Sequence, residues 1–221
     1  MKLAGLPFAA ALTPAPAALA PGGQYDGVHM DRAELADADG SGSHFLECAL
    51  TRLVLAGCEL AQARFTDVWL QDVRLISAGL ARTTWRDVTF AGAVIAGAQA
   101  FGSVLHRVTF DRCKLDSVNF RDCDLTDVTF DNCVLRDVDF TLARLTRVAF
   151  PDSRLAATTL VKVKLNRVDL RRAELGIIVD PAALGGAILS TSQLLDLAPL
   201  LAGSIGIIVD DDDQRRRPGP R

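Results

Sequence analysis

Three cysteines lie ten residues apart, at positions 113, 123 and 133, in a stretch that is rich in aspartate. Thiolates and carboxylates are common metal ligands, and neighbouring thiols can form a disulfide. Cysteine metal sites usually bring their ligands together through a short Cys-x-x-Cys segment, and this sequence contains none. The ten-residue spacing therefore has to be explained by the elements that carry the cysteines.

Large apolar residues recur at every fifth position from Leu35 to Leu175. Of these 29 positions, 27 hold Leu, Ile, Phe or Trp, and the exceptions are Gly40 and Ala100. The residue two positions before each of them is Ala, Ser, Thr, Cys or Val, except at Leu53. A period of five fits neither an α-helix nor a long strand. It fits short strands, in which residues two apart point to the same side, joined by two-residue corners.

Repeats such as CDLTD (123–127) and AELAD (33–37) resemble the pentapeptide repeat family, and the resemblance covers residues 33–177 without a gap. It implies an all-β fold, a right-handed quadrilateral parallel β-helix in which four repeats make one coil. The 29 repeats would give about seven coils. At a strand spacing of about 4.8 Å, the rod would be roughly 35 Å long.

A coil of four repeats orders the side chains of the interior into vertical columns. Two columns of phenylalanine are expected to face each other: Phe90, Phe110, Phe130 and Phe150 on one side, and Phe120 and Phe140 on the other. The five cysteines all occupy the inner small position, where a thiol behaves as a small apolar group. We therefore expect them to be packing residues. A disulfide and a metal site are the less favoured alternatives, and no cofactor is expected.

The aspartates of the same stretch fall at outward positions. Residues 111–139 hold 8 acidic and 4 basic side chains, whereas residues 141–172 hold 2 acidic and 8 basic ones. This polarity suggests complementary recognition of another protein. The candidate interaction surface consists of Asp111, Asp116, Asp122, Asp124, Asp127, Asp131, Asp137 and Asp139.

The sequence offers no arrangement typical of catalysis. His29, His44 and His106 are far apart, and no Ser-His-Asp set, glycine-rich phosphate loop or paired-histidine zinc motif is present. The segment GSGSH (40–44) is interpreted as a flexible interruption of the repeats. We expect a protein that is not an enzyme, with no catalytic or metal-binding residues.

Composition limits the partners and the location. The net charge of −3 gives no basic footprint for direct nucleic-acid binding. No apolar run reaches the roughly 18 residues that a membrane span needs. Residues 1–24 have the general shape of a signal peptide, but prolines interrupt the apolar part. An extended leader on a cytoplasmic protein is favoured.

After the repeats of residues 25–177, residues 178–209 are expected to cap the rod, dock a second copy, or both. A turn at Asp180 precedes an amphipathic helix capped by Ser190 or Ser192, which Pro199 would kink or split. IGIIV (205–209) can add a final strand, and residues 210–221 are expected to be disordered. The candidate cap or dimer residues are Leu194, Leu197, Leu201, Ile205 and Ile207.

The preferred function is a rigid scaffold that binds an unidentified protein partner, with homodimerisation through the C-terminal unit. The Val-Asp-Pro turn (179–181) and the helix that follows the repeats also resemble the mycobacterial family member that protects DNA gyrase from fluoroquinolones. That resemblance implies an alternative, in which an acidic rod imitates duplex DNA and binds gyrase.

Overall fold

The computed structural model describes residues 3–208. They form 22 short strands, three short 3₁₀ turns and one helix. The strands are β1 Thr13–Pro14, β2 Gln24–Asp26, β3 Val28–Asp31, β4 Glu34–Ala36, β5 His44–Leu46, β6 Ala49–Thr51, β7 Val54–Ala56, β8 Arg64–Thr66, β9 Trp69–Gln71, β10 Arg74–Ile76, β11 Thr84–Ala91, β12 Val94–Ala96, β13 Val104–Asp111, β14 Lys114–Asp116, β15 Asp124–Asp131, β16 Val134–Arg136, β17 Arg144–Thr146, β18 Arg154–Leu160, β19 Lys164–Asn166, β20 Val168–Asp169, β21 Glu174–Val179 and β22 Ala187–Ile188. The 3₁₀ turns are Leu3–Gly5, Ala9–Ala11 and Pro181–Leu184, and helix α1 is Thr191–Ser204.

Strands that lie four repeats apart in the chain pair in parallel, so the chain winds into a solenoid with four faces. Each face is defined by one inward residue and the residues stacked on it in the turns above and below. These residues are Leu125 for face 1, Phe130 for face 2, Leu135 for face 3 and Phe140 for face 4. The solenoid has about eight turns. This is one more than the repeats predict, because β2 and β3 already belong to the ladder and Tyr25 and Met30 precede the first repeat that was counted.

A left-handed backbone residue forms every corner. From Gly22 to Arg167, every fifth residue has a positive φ, between about 49° and 68°. Glycine, aspartate and asparagine tolerate this conformation best, which explains why Asp and Gly are frequent at the corner position. Leu142 and Ala157 are the apolar residues with a Cβ that adopt it, with φ of 65° and 52°.

The longest stack of aromatic rings in the interior changes face partway along the rod, and Phe120 and Phe140 form a second stack on face 4. On face 2, the rings of Phe110 and Phe130 stack with their centroids 4.7 Å apart, as the column pattern predicts. Nearer the N-terminus the stack lies on face 1, and it consists of Tyr25, Phe45, Phe65 and Trp85. Trp85 meets Phe90 at 5.3 Å where the stack changes face.

The N-terminal segment docks on the rod. Strand β1 pairs with β3. The Leu19 side chain lies against Gly40, so that a Cβ added to Gly40 would be only 3.3 Å from it. Leu19 thus fills the space left by the missing side chain at Gly40. The prediction that residues 40–44 form a flexible interruption is wrong, because β5 starts at His44 and pairs on both sides, and the Ser43 hydroxyl donates to the Ala20 carbonyl.

The C-terminal unit follows the prediction in part. Ser190 is the N-cap of α1 and forms a capping box with Gln193. The helix continues through Pro199 without splitting. The predicted final strand is wrong over residues 205–208, which are in no strand; the short strand β22 lies before the helix and pairs with β20. Val209 and the tail 210–221 lie outside the described residues.

Candidate interaction surfaces

The cysteines face the interior and are unpaired thiols, each at most 1 % exposed. Cys113 and Cys133 stack one turn apart, and the Cys113 amide lies 3.4 Å from the Cys133 Sγ. Burial raises the pKa of Cys123 to about 12, and the hydrogen bond with Cys113, together with burial, raises the pKa of Cys133. Within residues 3–208, no group of three or more His, Cys, Asp or Glu side chains is placed to hold a metal ion. Because all five thiols are buried within the hydrophobic core, they pack as small apolar groups.

Thiols and hydroxyls at the inner small position also share one hydrogen-bond pattern. The Cys133 Sγ donates to the carbonyl of Phe110 at 3.3 Å, and the Ser153 Oγ donates to the carbonyl of Phe130 at 2.8 Å. In both cases the acceptor lies 23 residues earlier in the chain. A small donor at this position satisfies a carbonyl at the corner of the preceding turn, which explains why Ser, Thr and Cys recur there.

The eight candidate aspartates are spread around the whole circumference. Asp124 lies on face 1 and Asp127 at the corner that follows it, Asp116 lies on face 3, and Asp139 lies on face 4. The corner residues include Asp122 and Asp137, and Asp111 and Asp131 stack in register on face 2. The rod does not gather these carboxylates on one side, so they form no single acidic face.

Arginines one turn further along the chain neutralise several of them. The Arg147 guanidinium binds Asp127 through two hydrogen bonds of 2.6 and 2.7 Å, and the Arg144 Nε donates to Asp124 at 2.8 Å. Arg136 is 3.6 Å from Asp116. The hydrogen bond from Arg147 lowers the pKa of Asp127. Exposed pairs of this kind contribute little to stability, but they replace an acidic surface with alternating charge.

Two further candidates are paired within the same region, Asp111 with Arg112 at 2.7 Å and Asp139 with Arg121 at 3.8 Å. Within residues 3–208, Asp122, Asp131 and Asp137 have no ion-pair partner. Charges counted by segment do not reveal this pairing. The signal was present, because an acid and an arginine at the same position of repeats that lie four apart must stack on each other.

The interior is closely packed. Within residues 3–208, two apolar voids have volumes of about 20 Å³ each, close to the room that one water molecule needs. Among the histidines, His106 has a buried Nδ1 without a hydrogen-bond partner, and its Nε2 lies 3.9 Å from Asp127. In the part of the chain that is described, no helix is long and apolar enough to cross a membrane.

Comparison with known families matches residues 103–178 to the family model described as Pentapeptide repeat region. The same ladder of stacked repeats continues toward the N-terminus as far as β2, beyond the matched residues. No match was found among curated proteins.

Solved structures with pentapeptide repeats are similar only at low identity. A trypsin-treated variant of QnrB1, a plasmid-mediated fluoroquinolone resistance protein, is 14% identical, with 85% of this chain and 100% of that chain covered and a TM-score of 0.39. HetL from the cyanobacterium Nostoc, involved in the regulation of heterocyst differentiation, is 17% identical, with 76% and 90% covered and a TM-score of 0.29. Rfr23 from the cyanobacterium Cyanothece is 14% identical, with 76% and 89% covered and a TM-score of 0.27.

Proposed function

We propose that this pentapeptide repeat protein is a rigid, non-enzymatic scaffold that binds another protein along the outside of its rod. The observation that supports this most directly is the filled interior, in which the described residues leave voids of only about 20 Å³. A solid rod has no room for a substrate, whereas its regular strands hold outward side chains at fixed spacings. Such a surface is suited to protein recognition with little ordering cost on binding.

One charge-changing substitution per face tests the proposal. Suitable exposed or half-exposed positions are Lys164→Glu on face 1, Asp131→Lys on face 2, Lys114→Glu on face 3 and Gln99→Lys on face 4. Each variant and the wild type would be used as bait in the extract of the source cell, with quantitative mass spectrometry. We expect a protein that binds the wild type and is lost with the variant of one face only. If no bound protein distinguishes the wild type from any variant, the proposal fails.

DNA mimicry with binding to gyrase is the alternative function. It would require a continuous acidic stripe, and the pairing of Asp116, Asp124 and Asp127 with arginines argues against one. A supercoiling assay with purified DNA gyrase, with and without a quinolone, separates the two functions. On the scaffold proposal the added protein neither inhibits supercoiling nor protects the enzyme. Protection would overturn the preference stated here.

Homodimerisation through the C-terminal unit is part of the same proposal. The α1 residue Leu194 is 49 % exposed and Ile205, just after the helix, is 75 % exposed, while Leu197 and Leu201 are half-buried. Ile207 is also exposed. A second copy that covered these apolar side chains, on α1 and just after it, would remove them from water and so stabilise the dimer. Sedimentation velocity of the wild type and of Leu194→Glu would test this, with a dimer expected only for the wild type.

A further inference from the structure

Face 3 has outward side chains unlike those of the other faces. Its eight strands, from β4 to β21, pair in one ladder. The first outward position of these strands alternates between valine and a cation in the middle six turns. The residues in chain order are Val54, Arg74, Val94, Lys114, Val134 and Arg154, and the registers place them in one column.

A strip of small apolar side chains runs beside this column. The second outward position holds Ala56, Ile76 and Ala96 in three successive turns, and all three are half-buried. The next corner position holds Gly57 and Gly97, which add no side chain. The apolar strip is therefore bordered on one side by glycines, which have no side chain, and on the other by the column that carries the cations.

Two of the cations are free to bind a partner. Among residues 3–208, Arg74 and Lys114 are in no ion pair, and both are exposed. Arg154 pairs with Glu174 at 3.4 Å, and both of these side chains are exposed to solvent. Asp116, on the same strand as Lys114, is occupied by Arg136. A shallow groove of about 370 Å³ surrounds Lys114.

The spacing along the column matches one kind of partner. Successive turns lie about 4.8 Å apart, so cations on alternate turns repeat about every 9.6 Å. Residues seven apart in an α-helix repeat about every 10.5 Å, and they lie on nearly the same face. The difference of about 1 Å per repeat is within the reach of arginine and lysine side chains. An extended strand lying on this face would find no free sheet edge, so its backbone groups would lose their partners, whereas a helix satisfies them internally.

We propose that face 3 is the docking surface for an amphipathic α-helix of a partner protein, with acidic residues seven positions apart. The helix lies along the rod axis. Two of its carboxylates bind Arg74 and Lys114, and a third replaces the exposed Glu174 on Arg154. Its small apolar residues pack on Val94, Ala96 and their neighbours. This inference rests on the proposed scaffold function and assigns it to one face and one class of partner.

A peptide library tests it. The peptides are about 18 residues long and helix-forming, with glutamate fixed at three positions seven residues apart and the remaining positions randomised. A matched library has the glutamates five residues apart. Selection on immobilised wild-type protein is expected to enrich the first library only, and the selected peptides become helical on binding, as measured by circular dichroism.

Substitutions identify the face. Lys114→Glu should weaken the selected peptides by at least about tenfold in fluorescence anisotropy, because it places like charges opposite each other. Lys164→Glu on face 1 makes the same charge change at another exposed lysine and should alter affinity less than about twofold. Both side chains are exposed, so neither substitution should unfold the rod. A melting temperature equal to that of the wild type shows that the rod of each variant is intact.

Three outcomes would overturn the inference: equal affinity for the wild type and Lys114→Glu, equal enrichment of both libraries, or peptides that bind in an extended form. The proposed scaffold function would survive these results if the face variants map a protein partner to face 1, 2 or 4. If every face variant keeps all the partners of the wild type, the proposed scaffold function itself is refuted.

Discussion

The Gln193 side chain donates a 2.6 Å hydrogen bond to the carbonyl of Leu170, 23 residues earlier in the chain. This is the same separation that joins the inner Ser153 hydroxyl to Phe130 within the rod. Gln193 also donates to the Ala173 carbonyl at 2.8 Å, and it is the buried residue of α1. The helix therefore places an amide where the next turn would place a hydroxyl or a thiol, and this amide binds the carbonyls of Leu170 and Ala173.

Replacing Gln193 by alanine is expected to loosen the C-terminal end of the rod. The Ala173 carbonyl loses its donor, and the Leu170 carbonyl keeps only the bond from the Ala173 amide. The loss costs about 1–3 kcal/mol locally. Solenoids open from their ends, so hydrogen exchange should rise in β20 and β22 more than in the middle of the rod. Leu195→Ala, at a side chain that is 67 % exposed, is the matched control. Equal protection of these strands in Gln193→Ala and the wild type would contradict the capping role.

Ala157→Gly is expected to stabilise the protein. Ala157 has a φ of 52°, where an L-residue with a Cβ is strained, and its side chain is exposed. Relief of the strain outweighs the added entropy of the unfolded chain, with a net gain of about 0.5–1 kcal/mol. Ala156→Gly, one residue earlier in β18 and without a positive φ, should destabilise by a similar amount. Urea titration of the two variants measures the difference, and a shared sign would refute the argument.

Phe130→Ala should be among the most damaging single changes in the core. The ring is fully buried and stacks on Phe110 and Phe150, with an edge contact to Phe140. Removal of a buried phenylalanine costs about 3–5 kcal/mol. Phe101→Ala removes a ring that is 42 % exposed and should cost much less. Thermal unfolding followed by circular dichroism compares them, and similar melting temperatures would mean that the column around Phe130 is not a packed stack.

The repeat period predicted the solenoid and its columns because every turn imposes the same rule on the same position. The features missed from the sequence are those that depend on which turn lies next to which. Leu19 could not be paired with Gly40 from the pattern, since the N-terminal segment has no period of its own. The pairing of Asp127 with Arg147, in contrast, follows from the pattern, because the two residues hold the same position of repeats that lie four apart, but counting charges by segment does not reveal it. That the eight aspartates contact a partner stays a prediction.

Protonation of Asp127 should lower the stability of the protein in acid. The hydrogen bond from Arg147 holds its pKa below the ordinary value of 3.8. A carboxyl whose pKa is lower in the folded state contributes stability above about pH 3.8, and this contribution is lost as the pH falls through the lowered pKa. Asp127→Asn should therefore flatten the loss of melting temperature between about pH 4 and pH 2. Asp137→Asn, which removes a corner carboxylate that has no ion pair in the described chain, is the matched control for the loss of a surface charge.

The buried thiols should react only when the rod opens. Burial raises the pKa of Cys123 to about 12, so at about pH 8 almost none of it is the reactive thiolate, and the side chain is also closed to solvent. Iodoacetamide should leave the native protein unmodified and should label all five cysteines in denaturant. Mass spectrometry after labelling at increasing urea concentrations would then report opening of the rod turn by turn. Cys123 and Cys133, in the middle turns, should be labelled later than Cys48 if the solenoid opens from its N-terminal end. Labelling of any cysteine in the folded protein would show that the interior is accessible and that the packing role of the thiols is wrong.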